Sequence, residues 1–302
     1  MCSTVLEPFT ARDGENLALY EWPLDQWRSD MGLSARRPRG VVLMVHGLGE
    51  HTCRYEHVAD RLLSWGFDVR AYDQRGHGES GGVRGALPNA TALLDDLAEV
   101  VDDTRQRAMR HGTNASKAPL PLILLGHSMG GLLVSRFVSL KIRPADGLVL
   151  SSPALDAGLG VFQKLLLAVS PKLMPNLCLN NGLDARYISR DEHVVKKYLA
   201  DRLVHTKISP RLGNFIATAG PATVAAAASW STPTLLMYSG ADRLVNPEGS
   251  RAFAHRASNS PSVKPGTVTA ICFERLYHEI FNEADASQVF NVLETWLDAK
   301  FK

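Results

Sequence analysis

The sequence has few cysteines, little excess charge of either sign and no long apolar run. Its four cysteines lie far apart without a CxxC pair, which argues against a disulfide framework or a zinc site and fits a reducing compartment. With 33 lysines and arginines against 31 aspartates and glutamates, the net charge of +2 argues against a nucleic-acid or polyanion partner. No stretch approaches the roughly 18 uninterrupted apolar residues of a membrane-spanning helix.

The first 20 residues carry several charges and contain no apolar stretch, so we predict no signal peptide. Together with the cysteines, this predicts a cytoplasmic protein, with weak peripheral attachment to a membrane left open. At 302 residues and 45% hydrophobic content, the chain can form one large α/β domain, or one such domain with an insertion.

Apolar runs and amphipathic patterns alternate along the first half of the chain. The predicted elements are an edge strand at 17–22, strand 41–45, helix 58–65, strand 67–72, helix 93–109, strand 121–125, helix 131–138 and strand 147–150. This alternation is typical of an α/β fold, with a mostly parallel central sheet and helices on both faces.

The alternation stops between residues 155 and 229. The patterns there predict helices at 159–169, 192–198 and 211–228 and no strand, before strands at 234–238 and 268–273 and a last helix at 288–300. An all-helical block inserted in an α/β chain predicts a cap over the carboxyl edge of the sheet. We therefore predict a core of residues 1–154 and 230–302 with a helical cap at 155–229.

Ser128 lies between two glycines, in Gly126-His127-Ser128-Met129-Gly130, where a predicted strand turns into a predicted helix. This is the nucleophile-elbow pattern, in which glycines let helix and strand approach around a strained serine. An ordinary glycine-rich turn also fits, since about one random chain in ten of this length would contain the pattern. The flanking strand and helix favour the catalytic interpretation.

A nucleophilic serine needs a base and an orienting acid, in the chain order serine, acid, histidine. Asp242 follows predicted strand 234–238 and His278 follows predicted strand 268–273, so both belong to the carboxyl edge where such sheets form active sites. Singly, Asp242 fits a turn residue and His278 a polar helix N-terminus. With Ser128 they predict a triad, in which His278 takes the serine proton and Asp242 orients the imidazole.

An oxyanion formed at Ser128 would need backbone N–H donors. Met129, the residue after the nucleophile, is one predicted donor. Leu48, in the loop after strand 41–45, is the other.

Five segments in this order resemble the monoacylglycerol lipase and lysophospholipase branch of the α/β-hydrolases: HGLGEH at 46–51, YDQRGHGES at 72–80, GHSMGG at 126–131, SGADRLV at 239–245 and YHEIFNE at 277–283. The resemblance runs from about residue 41 to the C-terminus. It implies no cofactor, no metal and a lipid-like ester substrate. It also implies the same triad and oxyanion donors: Ser128, Asp242, His278, Leu48 and Met129.

Two positions depart from the family pattern. Leu48 stands where the family often has a small residue, which would narrow the pocket. Arg202 replaces a proline in the cap motif, which here reads Asp201-Arg202-Leu203-Val204-His205.

Several further residues allow two interpretations. Glu50 and His51 fit either a contact with the glycerol end of a substrate or hydrogen bonds that stabilise their own loop. Phe162 and Leu166 lie on an apolar face of the predicted helix 159–169. That face fits either packing on the core or an acyl-chain entrance that also touches membranes.

We predict a serine carboxylester hydrolase that cleaves a monoacylglycerol or a lysophospholipid through an acyl-enzyme. A generalist carboxylesterase for small soluble esters would use the same residues in a pocket of another shape. An amidase or peptidase would need an acidic cluster in the cap to hold an amine, and the sequence shows none there. A non-catalytic binding protein on the same fold would have no need of the triad.

Overall fold

The structure is a computed structural model that describes residues 5–110, 119–158, 160 and 169–302. The strands in these residues are β1 (Val5–Thr10), β2 (Asn16–Trp22), β3 (Val41–Val45), β4 (Asp68–Tyr72), β5 (Leu122–His127), β6 (Gly147–Ser151), β7 (Leu179–Asn180), β8 (Lys207–Ile208), β9 (Thr234–Ser239) and β10 (Val268–Phe273). Eight of them form one sheet in the order β1-β2-β4-β3-β5-β6-β9-β10. The β1–β2 and β2–β4 pairs of this sheet are antiparallel and its other five pairs are parallel, which confirms the predicted mostly parallel α/β fold.

The helices that have both ends in the described residues are α1 (Leu24–Asp30), α2 (Glu56–Ser64), α3 (Ala92–Arg110), α4 (Met129–Ser139), α5 (Glu192–Ala200), α6 (Pro210–Ala226), α7 (Glu248–Ser258) and α8 (Ser287–Lys300). They cover both faces of the sheet, so successive strand residues point into two separate cores. In β3, Leu43 and Val45 pack into one core, while Val42 and Met44 pack into the other. Burial on both faces explains why this strand is a continuous apolar run.

Two details of the sheet differ from the prediction. The strand predicted at the edge, β2, is covered by β1, which is itself the edge strand. The segment 155–229 contains strands after all, since β7 and β8 pair with each other over two residues each. Strands this short show no periodicity in a sequence.

Helix α7 is absent from the predicted elements. Its buried positions include small residues, Gly249, Ser250 and Ala257, with Phe253 as the one large apolar side chain among them. Small residues give a weak amphipathic pattern, although they pack well against a neighbouring helix.

The segment between β6 and β9 leaves the sheet and returns to it, because β6 and β9 pair directly. Its helix α6 packs against α4, and Leu212, Phe215 and Ala219 belong to the main core. The predicted helix 159–169, with Phe162 and Leu166, lies outside the described residues apart from position 169. The boundaries of a cap at 155–229 therefore stay a prediction. Across the described ranges, none of the helices combines the length and apolar character needed to cross a membrane.

Asp73 organises the loop after β4 that faces the β3 loop. Its carboxylate is fully buried and accepts three hydrogen bonds: from the Tyr20 hydroxyl at 2.9 Å, the Thr52 N–H at 2.8 Å and the Glu79 N–H at 2.8 Å. These donors come from strand β2, from the loop after β3 (the β3 loop) and from the loop after β4 (the β4 loop), so one side chain joins three segments.

We expect Asp73→Ala to lower the free energy of unfolding by about 3 kcal/mol, because it leaves three donors without their acceptor in a water-poor site. Urea denaturation followed by circular dichroism measures this loss. Asp30→Ala, which removes an exposed carboxylate bonded to Gln26, is the matched control and should change stability little. Equal losses in both variants would contradict the assigned role of Asp73.

Candidate active site

Ser128 occupies the turn between β5 and α4 in a backbone conformation that side chains rarely adopt. Its φ is +53°, which is strained for any residue other than glycine. A Cβ atom at Gly126 would lie 2.5 Å from the carbonyl oxygen of Gly130, and one at Gly130 would collide with the backbone of β3. The glycines on either side of Ser128 are therefore required by this close approach of helix and strands.

Asp242 and His278 meet although they follow different strands. Asp242 comes after β9 and His278 after β10, and Oδ2 of the aspartate lies 2.7 Å from Nδ1 of the histidine. The other carboxylate oxygen accepts the N–H groups of Leu244 at 2.9 Å and Val245 at 3.1 Å. Both side chains are buried, so the imidazole is held in one orientation with Nε2 left for a second partner.

The pair shifts both pKa values. Burial tends to raise the pKa of Asp242, but the neighbouring His278 and two backbone N–H groups outweigh it and lower the pKa below its usual range. Burial tends to lower the pKa of His278, but the Asp242 carboxylate outweighs it and raises the pKa above its ordinary value. The arrangement therefore keeps the carboxylate ionised and makes the imidazole a better base.

Ser128 and His278 border the same cavities, together with Leu48. The β3 loop passes directly beside the serine, because a Cβ atom at Gly47 would lie 3.1 Å from that of Ser128. Met129 is the first residue of α4, and the first N–H groups of a helix have no acceptor within it. The structure thus brings the predicted triad and the two predicted oxyanion donors to one place at the carboxyl edge of the sheet.

Two cavities of different character meet at this place. One, of about 470 Å³, has a mostly apolar wall that includes Met174, Leu177 and Leu179. The other, of about 740 Å³, has more charged and polar side chains in its wall, although most of its exposed surface is apolar as well; we call it the polar cavity. The residues that border both cavities are Leu48, Ser128, Asn181, Leu183, Leu244 and His278.

Glu50 and His51 are both buried and engaged within the protein. The Glu50 carboxylate accepts hydrogen bonds from the Gly47 N–H and the Tyr55 hydroxyl, each at 2.6 Å. Nε2 of His51 lies 2.9 Å from the Asp201 carboxylate. These contacts favour the interpretation that both residues stabilise their loop, although Glu50 also borders the polar cavity.

The segment with Arg202 in place of the family's proline is fastened to the core loops. The backbone N–H of His205 donates to the carbonyl of Gly49 at 2.8 Å, and its Nε2 donates to that of Gly76 at 3.0 Å. With the Asp201–His51 contact, these bonds attach the segment to the loop that carries Leu48.

Sequence reasoning missed Arg54, Glu279 and Tyr198, which stand beside the site. The Arg54 guanidinium binds the Glu279 carboxylate twice, at 2.7 Å, and lies over the Tyr198 ring, 4.7 Å from its centre. Glu279 lies within the segment YHEIFNE and Arg54 lies three residues after the end of HGLGEH, which is the one signal the sequence offered.

Comparison with known proteins agrees with this geometry. A family model described as "Serine aminopeptidase, S33" matches residues 36–285. The monoacylglycerol lipase of Mycolicibacterium smegmatis is 37% identical over 281 residues, which cover 90% of this chain and 91% of that protein. The phospholipase YtpA of Bacillus subtilis is 30% identical over 277 residues, which cover 90% of this chain and 98% of that protein.

A solved structure shows the same fold. The crystal structure of the monoacylglycerol lipase from Paleococcus ferrophilus superposes with a TM-score of 0.77 at 30% identity, over 94% of this chain and 99% of that one. Because both the family model and these relatives extend over most of the chain, membership does not depend on the motifs alone. Monoacylglycerol lipases are among the proteins to which it is similar. The chain belongs to the α/β-hydrolase superfamily, in the family of serine hydrolases whose model matches residues 36–285.

Proposed function

We propose that this chain is a serine ester hydrolase that cleaves monoacylglycerols through an acyl-enzyme. The observation that carries the proposal is the meeting of an apolar and a polar cavity at Ser128, beside the His278–Asp242 pair. An ester with one long apolar chain and a small polar alcohol matches this shape. The similarity to monoacylglycerol lipases supports the same substrate class.

In this mechanism the Ser128 hydroxyl attacks the ester carbonyl while Nε2 of His278 takes its proton. The N–H groups of Leu48 and Met129 donate to the oxyanion of the tetrahedral intermediate. The imidazolium, stabilised by Asp242, then gives the proton to the leaving glycerol oxygen. Water, activated by the same histidine, releases the fatty acid from Ser128.

The carboxylates around the polar cavity have partners within the protein, which argues against a cationic head group. Asp184 binds Arg186 at 2.6 Å and Asp201 contacts His51 at 2.9 Å. Glu279 is occupied by Arg54. Glycerol hydroxyls can donate to and accept from such a wall without leaving a buried charge unpaired.

The same pairing bears on the alternative of an amidase or peptidase. An amine-recognition site needs a carboxylate that is free to bind an ammonium group. The cavity carboxylates of Glu50, Asp184, Asp201 and Glu279 all have partners in the protein. This arrangement favours an ester substrate over a peptide with a free amino terminus.

A contact with lipid surfaces is part of the proposal. Large apolar side chains near the apolar cavity are strongly exposed: Val169, Leu173, Met174, Leu177, Leu179 and Leu183. Several of them also border the cavity, so an acyl chain could pass from a lipid aggregate to Ser128 without crossing water. Phe162 and Leu166, for which the sequence predicts this role, lie outside the described residues.

A cytoplasmic location stays a prediction. It rests on the cysteines, of which Cys178 and Cys272 are free thiols in the structure.

The proposed function predicts chain-length dependence. Rates on a monoacylglycerol series should peak at medium or long acyl chains and fall on the order of 10⁶-fold in Ser128→Ala, because the acyl-enzyme can no longer form. Release of fatty acid measures both effects. Turnover of short soluble esters alone would instead support the generalist esterase. If a phosphonate probe fails to label the folded protein, every enzymatic interpretation is refuted.

The raised pKa of His278 predicts the pH profile. The base works only when it is neutral, so kcat/KM should fall below a midpoint that lies above the ordinary value of about 6.5. Asp242→Asn removes the charge that raises this pKa and leaves the burial that lowers it. We expect the midpoint to move to lower pH and the rate to drop about 10⁴-fold. An unchanged midpoint in that variant would show that another group titrates.

The exposed apolar side chains predict a selective loss on lipid surfaces. Leu173→Asp should weaken sedimentation with neutral phospholipid vesicles and slow hydrolysis of long-chain monoacylglycerol in them, while a short soluble ester is hydrolysed as before. Met31→Asp is the matched control, because Met31 is also strongly exposed but lies next to α1. The two variants behaving alike would count against a lipid-contact surface at Leu173.

A further inference from the structure

Arg54 joins two carboxylates that belong to different walls of the site. Its side chain is 10% exposed. Nη1 and Nη2 donate to the two oxygens of Glu279, each at 2.7 Å, and Nη1 also donates to Oε2 of Glu50. Charge-assisted bonds of this forked kind fix direction as well as distance.

The first carboxylate controls the loop beside the nucleophile. Oε1 of Glu50 accepts the backbone N–H of Gly47 at 2.6 Å. Gly47 precedes Leu48, the proposed oxyanion donor, and packs against Ser128. The Gly47 N–H belongs to the peptide just before the one that carries the Leu48 N–H. The Glu50 carboxylate therefore holds the start of the turn that presents the Leu48 N–H.

The second carboxylate controls the loop of the base. Glu279 follows His278 directly, and its own N–H donates to the carbonyl of Ile188 at 2.7 Å. Its side chain is fixed by Arg54 and by Asn282, whose amide donates to Oε2 at 2.8 Å. With backbone and side chain of Glu279 both held, the peptide that joins His278 to Glu279 has little freedom.

The charges make Arg54 necessary for this arrangement. Burial raises the pKa of Glu50, although Arg54 acts in the opposite direction. Burial tends to raise the pKa of Glu279 as well, but the charge of Arg54 outweighs it and lowers the pKa to about 2. Without the guanidinium, two buried carboxylates would face each other, and one would take up a proton and become a donor.

We propose that Arg54 is a positioning residue, which holds the start of the Leu48 loop beside Ser128 through Glu50 and holds the His278 loop through Glu279. It touches neither substrate nor reacting atoms in this role. The inference rests on the proposed ester hydrolysis. Tyr198 of α5 places its ring over the Arg54 guanidinium. The segment between β6 and β9 therefore contacts Arg54 as well.

The test compares Arg54→Met and Arg54→Lys with the wild type. We expect kcat on a monoacylglycerol to fall on the order of 10²-fold in Arg54→Met, as displacement of an oxyanion donor would cause, with KM nearly unchanged. Lysine keeps the charge but lacks the fork, so Arg54→Lys should lose activity to a smaller extent. Affinity for a trifluoromethyl ketone, which forms a tetrahedral adduct with the serine, should fall by the same factors as kcat.

Arg70→Lys is the matched control. Arg70 is equally buried and binds Glu21 and Asp103 from β4, so its replacement should lower the melting temperature without changing kcat or ketone affinity. If Arg54→Met does not fold, Arg54→Lys and Glu279→Gln test the positioning role instead, because both substitutions nearly keep the size of the side chain.

The outcomes separate the two proposals. Folded Arg54 and Glu279 variants that lose only thermal stability, as Arg70→Lys does, would overturn the positioning role and leave the hydrolase intact. A wild-type protein that neither hydrolyses the ester nor binds the ketone would overturn the proposed function itself.

Discussion

The close approach of α4 to the sheet at Ser128 is the constraint on which the site depends. The positive φ of Ser128 persists because hydrogen bonds hold its peptide groups on both sides. Its N–H donates to Ser151 at 2.9 Å, and its carbonyl accepts from Leu132 and Ala154 at 3.0 Å each. These bonds come from the neighbouring strand β6, the loop after it and the helix itself, so packing of the core offsets the strain of the turn.

Buried histidines surround this turn, and their environments differentiate them. His46 accepts the Gln74 N–H at 2.9 Å, and burial lowers its pKa to about 3. Burial also lowers the pKa of His127 to about 3, although its ring lies only 4.8 Å from that of His278. His278 is as buried as either, but a carboxylate faces it and raises its pKa. A charged partner therefore selects one base among several imidazoles.

Much of the fold could be predicted because its signals are local. Strands β3 and β10 have the predicted bounds, since each is a run without charged residues, glycine or proline that lies between clear turns. Strand β1 was missed because Pro8 and a charged residue interrupt its pattern, and β7 and β8 because two residues carry no period. The placement of Asp242 and His278 after strands followed from chain order, and the 2.7 Å contact between them agrees with it.

The sequence by itself determined the α/β alternation, the strained turn and which side chains could carry the chemistry, because glycine spacing and apolar periodicity act between near neighbours. The tertiary structure alone decided which charges pair and where the cavities lie. Arg54 and Glu279 are 225 positions apart, and no local sequence pattern predicts their contact. Likewise, the apolar wall formed by Met174 and Leu177 meets the polar cavity at Ser128 only because the segment between β6 and β9 folds back over the sheet. Long-range packing fixes such contacts, since their free energy depends on burial that a linear sequence does not display.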